Sequence, residues 1–183
     1  MAKWFLEPGH TAAAFSARHM MVTYVRGHFK DVHGKLDFDP ANPGAGSVEV
    51  VIAARNLHTG EAARDAHLKS ADFFDVERYP EITYRGRGGK RTGAQDWMVD
   101  GEITLRGVTR PLSLAVRFLG QWETPWWEDG RDQGPKTRAG FVATATLNRH
   151  DFGVSWNSVL DKGGVVVGDA IELVIDAEAI LES

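Results

Sequence analysis

Short runs in which apolar and polar residues alternate recur along most of this chain, and each run ends at Gly, Pro, Asn or Asp. Residues 47 to 57 show the pattern plainly, with Val48, Val50, Ile52 and Ala54 in phase. Residues 28 to 39 set Val32, Gly34, Leu36 and Phe38 against Asp31, His33, Lys35 and Asp37. Successive side chains on a strand point to opposite faces, so a period of two marks β-strands with one buried face. Trp97, Val99, Ile103 and Leu105 repeat it, as do Leu112, Leu114, Val116 and Phe118. So do Phe141, Ala143, Ala145 and Leu147, then Ile171, Leu173, Ile175 and Ala177. With weaker signals at residues 3–6, 11–18 and 81–85, the pattern predicts about eight or nine strands. Residues 121–135, carrying Trp122, Trp126 and Trp127, read as an irregular loop whose tryptophans pack onto the outside or plug an open end. Residues 19–25 read as a short helix ending before Gly27.

Neither a βαβ alternation nor a fixed repeat is present, and nearly all connections are short enough to join antiparallel neighbours. The expectation is a single all-β domain over residues 1–183. An eight-stranded antiparallel barrel is a natural closure and can hold one small ligand; a two-sheet sandwich competes with it. Alternation alone does not separate the two. Small residues at inward positions, Ala17, Ala54, Ala143, Ala145 and Ala177, fit an interior left partly open, or else make room for Trp97 and Phe141.

One stretch breaks the β pattern. From Glu61 to Lys69 the residues are good helix formers without a β-branched member, and Thr59 is a candidate N-cap. Phe73 and Phe74 follow, bracketed by Asp72 and Asp75. Vicinal aromatics cannot both hide behind one strand face, so this element is expected to cover one end of the barrel as a lid.

Composition excludes several classes of function. There is no cysteine, hence no disulfide framework, thiolate metal site or cysteine nucleophile. A formal net charge of −4 argues against nucleic acid as a partner. No apolar run approaches the ~20 residues of a membrane span, and the N-terminus lacks a signal-peptide pattern, so a cytoplasmic protein is expected. The seven histidines show no HxH or HExxH spacing, and no serine sits in a nucleophile elbow. Metal and catalytic residues are therefore expected to be none, and no cofactor is required.

The segment from Arg64 through Asp65, His67 and Leu68 to Phe73, Phe74 and Asp75, with Tyr79 and Pro80, resembles the YceI family. So do residues 15–20 with 25–29, residues 101–111, residues 139–153 and residues 167–173. The resemblance runs essentially end to end; the aromatic-rich stretch from Trp122 to Arg138, and Ile103 in place of leucine, depart from the family pattern. It implies a lipocalin-like barrel whose interior takes up a polyisoprenoid or similar long-chain amphiphile, with a helix and loop over the mouth, and a homodimer.

On this reading the protein binds, stores or transports such a lipid without catalysis, an isoprenoid quinone, prenyl phosphate or fatty amide being the ligand. The tail is expected among Phe15, Val50, Ile52, Phe73, Phe74, Tyr84, Ile103, Leu114, Val116, Phe141 and Phe152. Arg18, His19, Arg64, Asp65 and His67 are candidates for meeting the head group. The alternative reading of Arg64 and Asp65 is as the lid's anchor, through Arg149 or Asp151. Two other readings stand beside this one: a barrel hydrolase or isomerase with His67 or His19 as base, oriented by Asp65, and a stress or scaffold protein acting through the tryptophan-rich segment 122–135.

Overall fold

The computed structural model describes residues 1–182, the Pro43 side chain apart. Its first four strands are β1 (Ala2–Leu6), β2 (Ala12–His19), β3 (Thr23–Phe29) and β4 (Val32–Phe38). β1 pairs with β4 and β2 with β3, so the four make one long hairpin with a break in each arm. The break between β3 and β4 falls at Asp31, held at a φ of 59°, which splits the strand expected over 28–39. At the hairpin tip the expected helix over 19–25 is absent. Met20 and Met21, both at positive φ, make a two-residue turn instead. Val22, Thr23 and Val25 are β-branched, and the cross-strand partners offered by β2 decide in favour of the extended form.

β5 (Ser47–Ala53) ends at a 3-10 turn over Ala54–Asn56, earlier than the alternation implied, and β6 (Leu57–His58) follows. The helix α1 (Ala62–Lys69) begins at Glu61, whose carboxylate accepts from the backbone N–H groups of Ala63 and Arg64 at 3.2 and 2.8 Å. Glu61, not Thr59, is thus the N-cap; Thr59 is engaged by Asp65 instead.

The remaining strands are β7 (Glu81–Arg87), β8 (Lys90–Arg91), β9 (Asp96–Val99), β10 (Gly101–Leu105), β11 (Val108–Pro111), β12 (Leu114–Glu128), β13 (Arg131–Asn148) and β14 (Val167–Leu181). All pairings are antiparallel, in the order β11-β10-β7-β5-β4-β1-β14-β13-β12-β9-β8, with β2 branching from β14 and leading to β3 and β6. Only Asp100 separates β9 from β10, yet they stand near opposite ends of that order. The sheet therefore curls until its ends come together. Backbone hydrogen bonds from Leu112 to Gly101 at 2.8 Å and from Arg87 to Asp100 at 3.1 Å lie along that seam. Among the described residues fourteen segments stand where about eight or nine were expected, because turns and irregularities at 7–11, 30–31, 54–56, 88–89, 100 and 112–113 interrupt strands that the apolar phase alone carries through.

Inside the curl lie Trp4, Leu6, Phe29, Val32, Leu57 and Ile82, all buried. Phe38, Phe118 and Phe141 meet with ring centroids 5.1–5.5 Å apart. Beyond the core, β12 and β13 continue alone. β9 accompanies β12 only as far as Arg117, and β14 accompanies β13 only from Arg138 onward. The intervening residues form a two-stranded ribbon, with register shifts between Phe118 and Gly120 and between Pro125 and Trp127, not the irregular loop expected there. Trp122 and Trp127 are 75% and 63% exposed, so they neither pack onto the outside nor plug an end. Trp126 is half-buried, with the Arg138 guanidinium 5.0 Å from its ring centre.

Candidate functional site

The inward faces of the curled sheet enclose a cavity of about 300 Å³. Strand phase puts the walls there. Val48, Val50 and Ile52 come from β5, Ile82 and Tyr84 from β7, Ile103 and Leu105 from β10, and Leu114 and Val116 from β12. Phe141, Ala143 and Leu147 from β13 and Ile171, Leu173, Ile175 and Ala177 from β14 complete the circuit. Small side chains do leave room: Ala17, Ala143 and Ala177 are among the lining residues, while Ala54 and Ala145 are not. Ala54 lies instead in the 3-10 turn, fully buried.

Of the expected tail contacts, Phe15, Val50, Ile52, Phe73, Phe74, Tyr84, Ile103, Leu114, Val116 and Phe141 line the cavity. Phe152 does not. It is buried in the 3-10 turn Arg149–Phe152, and a side chain leaving a turn follows no strand phase. Leu68, Phe73 and Phe74 close one end. Phe74 meets Phe29 edge-on at 5.5 Å, and Phe73 packs against His67 and Trp156 at 5.1 and 5.4 Å. Away from that end the lining includes Gly46, Gly88 and Gly89, in the connections between β4 and β5 and between β7 and β8.

Among the polar residues of the lining, Tyr84 and Arg149 have their hydrogen bonds committed to backbone carbonyls. The Tyr84 hydroxyl is shared between the carbonyls of Val99 and Leu112, at 3.3 and 3.2 Å. Burial, assisted by the negative charge of Asp100, pushes the phenol up to about 12. Arg149 is buried and clamps the chain that follows it. Its Nε donates to Gly168 O at 2.9 Å, and its terminal nitrogens donate to the carbonyls of Val154 and Trp156 at 2.9 Å and of Val167 at 3.2 Å. Burial lowers its affinity for the proton from the ordinary guanidinium value, and Asp169 at 3.8 Å acts the other way.

Arg18, His19, Arg64, Asp65 and His67 all stand outside the lining. Arg18 donates to the Met21 carbonyl at the hairpin tip, and His19 ends β2. Arg64 donates to Thr59 Oγ1 and Thr59 O at 2.8 and 3.0 Å. Asp65 is buried and accepts from Thr59 N–H at 2.8 Å and from the Thr59 hydroxyl, with His58 Nδ1 3.1 Å away. Burial works to raise the Asp65 carboxyl, but the Thr59 hydrogen bonds and the adjacent His58 outweigh it and hold the group below 3.8. The two residues tie α1 to the Leu57–Thr59 segment, not to Arg149 or Asp151 as expected. His67 Nε2 lies 2.9 Å from Asp72 instead, so Asp65 and His67 do not form an oriented pair.

The residue that fastens the lid to the sheet was missed. Arg106, in the turn between β10 and β11, donates to Ala71 O at 2.8 Å and to Gly153 O. It joins the segment after α1 to the turn after β13. Its place between Leu105 and Gly107, inside one of the motifs carrying the family resemblance, was the available signal. Among the described residues, Glu7, His10 and Glu178 bring ligand atoms within 4.8 Å of one another. Arg138 pairs with Glu178, and His10 Nδ1 is 2.9 Å from Glu7, so a guanidinium and an imidazole already meet the two carboxylates.

The YceI-like domain model matches residues 4–179. A UPF0312 protein of Pseudomonas putida is 34% identical over 174 residues, 95% of this chain and 83% of the relative. The crystal structure of a Campylobacter jejuni YceI protein superposes with a TM-score of 0.72 at 27% identity, covering 91% of this chain and 90% of that one. A polyisoprenoid-binding domain from Saccharophagus degradans shares the fold, with a TM-score of 0.67 at 12% identity and full coverage of both chains.

Proposed function

The chain belongs to the YceI-like family, and from that premise we propose that it binds a polyisoprenoid or similar long-chain amphiphile in its interior without catalysis. The observation that carries the reading is the cavity, walled by apolar side chains on every strand that faces it. Its volume lies at the lower end of the range for small-molecule sites. Each methylene withdrawn from water contributes about 0.8 kcal/mol, so ten would offset association losses by about 8 kcal/mol. Because Tyr84 and Arg149 are satisfied by backbone carbonyls, the interior suits the tail alone and the head stays at one end. Arg64 and Asp65 then act in holding the lid helix, not in recognition.

The same proposal takes the fold as an eight-stranded lipocalin-like barrel. β1/β2, β3/β4, β5/β6, β7/β8, β9/β10 and β11/β12 count as six interrupted strands, and β13 and β14 complete the eight. A homodimer belongs to it too, and sedimentation equilibrium tests that part. Native mass spectrometry of protein purified without detergent tests the binding. A copurifying lipid, or uptake of an offered prenyl phosphate, quinone or fatty amide, supports the reading; a cavity always empty and refusing all three overturns it.

One observation favours a second reading, in which the protein captures a partner through the ribbon: the exposure of Trp122 and Trp127. Deleting residues 124–134 would then abolish partner capture and leave lipid uptake intact.

A further inference from the structure

The β2–β3 hairpin ends in a turn that local conformational preference does not explain. Met20 and Met21 sit at φ of 49° and 63°, the left-handed region that such two-residue turns normally fill with Asn and Gly. The turn is nonetheless well held. Arg18 donates to the Met21 carbonyl from Nε and a terminal nitrogen, at 3.3 and 2.9 Å, and Met20 N–H donates to Val166 O at 2.9 Å. What it presents is apolar: Met20 is 43% exposed, Met21 53% and Val22 82%. Val159, 78% exposed, stands on the adjoining segment, whose Gly164 lies against Met21.

The charge around this tip is one-sided. From Pro8 to Lys30 the chain contains no Asp or Glu and carries Arg18, Arg26 and Lys30 with His10, His19 and His28, in a protein whose formal net charge is −4. Arg18 and Arg26 both lie over the Tyr24 ring, 5.9 and 5.7 Å from its centre. The neighbouring segment adds Asp161 and Lys162, of opposite sign; farther along, Glu172 accepts from Ser16, and Asp169 lies beside His150 and Arg149. An exposed apolar apex behind which arginines gather on a tyrosine has the order of chemistry met on entering a lipid surface: hydrocarbon foremost, then an amphipathic ring and cations at the level of the phosphates.

We propose that the Met20–Met21–Val22 tip docks on a bilayer containing anionic phospholipid. This is separate from the binding of a lipid tail in the interior and holds or fails without it. The tryptophan ribbon makes an internal control. It leaves the sheet beside Ile180, near the end of β14, whereas His19, next to the tip, pairs with Val167 at its start. The ribbon also carries Glu123, Glu128, Asp129 and Asp132.

Flotation of the full chain with vesicles tests the proposal, using phosphatidylcholine alone and phosphatidylcholine with one quarter phosphatidylglycerol. The protein should float with the anionic vesicles, should not float with the neutral ones, and should be released by molar salt. Met20→Asn combined with Met21→Gly, a pair suited to the turn, should fold at least as stably yet lose vesicle affinity by tenfold or more. Val22→Ser should weaken it in the same direction, and Arg26→Gln by about fivefold. Trp122→Ser with Trp127→Ser should leave it unchanged. The proposal is overturned if the protein ignores both vesicles, if it binds them equally, if the tip variants bind as well as the parent, or if binding is lost with the tryptophans.

Discussion

Replacing Arg106 by Asn should loosen the lid and leave the sheet intact. Arg106 and the following Gly107 occupy φ of 51° and 72°. Asn–Gly suits such a turn, so the substitution removes the guanidinium without straining the backbone. Lost are the hydrogen bonds to Ala71 O and Gly153 O, which connect the lid segment to the end of β13. A hydrogen bond from a charged group contributes about 1.5–3 kcal/mol. Both carbonyls lie near solvent and regain water when released, which brings the pair down to about 2 kcal/mol. At 1.4 kcal/mol per tenfold, local opening becomes about 30-fold more frequent. Amide hydrogen exchange reads this directly, because the N–H groups of Phe73, Phe74, Asp75 and Val76 are bonded within the lid, to carbonyls of Ser70, Leu68, Ser70 and Lys69. These amides should accelerate together while those of Leu6 and Ala179, paired in the sheet, keep their rates. Unchanged lid exchange would show that Arg106 is no fastening, and a uniform acceleration throughout would show that it supports the whole fold.

Arg149→Lys should destabilise the protein by about 3–5 kcal/mol in urea denaturation, since an ammonium cannot reach the carbonyls of Val154, Trp156, Val167 and Gly168 together and remains a buried charge short of partners. Asp65 gives an acid-side dependence. Its folded-state value lies below the unfolded one, so its stabilisation is complete above 3.8 and fades as pH falls through the lowered value. Denaturation midpoints measured down to about pH 2 should therefore fall less steeply for Asp65→Asn than for the parent. Tyr84 acts at the other extreme: its phenol is raised from 10.0 to about 12, so the unfolded chain loses the proton first and stability declines as pH climbs through that interval. Tyr84→Phe should abolish that part of the decline, and an ultraviolet titration in which all three tyrosines ionise near pH 10 would refute the assignment.

Period-two alternation located the cavity walls because burial on a strand obeys phase, and phase is written in the order of residues. Val50, Ile52, Tyr84, Ile103, Leu114, Val116 and Phe141 could be named on that ground alone. Phe73 and Phe74 were reached by a different route, through the helix-forming stretch before them. Phase carries no information where a strand is interrupted, and this is why Phe152 was misplaced and why residues 28–39 and 97–105 looked continuous. Local preference also misread both ends of the molecule. The Met20–Met21 turn exists because β2 and β3 pair across it, and the ribbon beyond Leu119 exists because its two arms pair with each other.

The sequence by itself determined the all-β class, the inward faces, the helix that interrupts them and the family to which the chain belongs. Each of these is a matter of residue type against near neighbours in the chain. Only the tertiary structure decided what the charged groups do. A guanidinium can reach carbonyls tens of residues away, so Arg106 and Arg149 gained their partners at Ala71, Gly153 and Gly168 when strands far apart in the chain came together. By the same closure Arg18, Arg64 and His67 were turned away from the cavity, which retains tail-facing walls, with Tyr84 and Arg149 already satisfied by backbone.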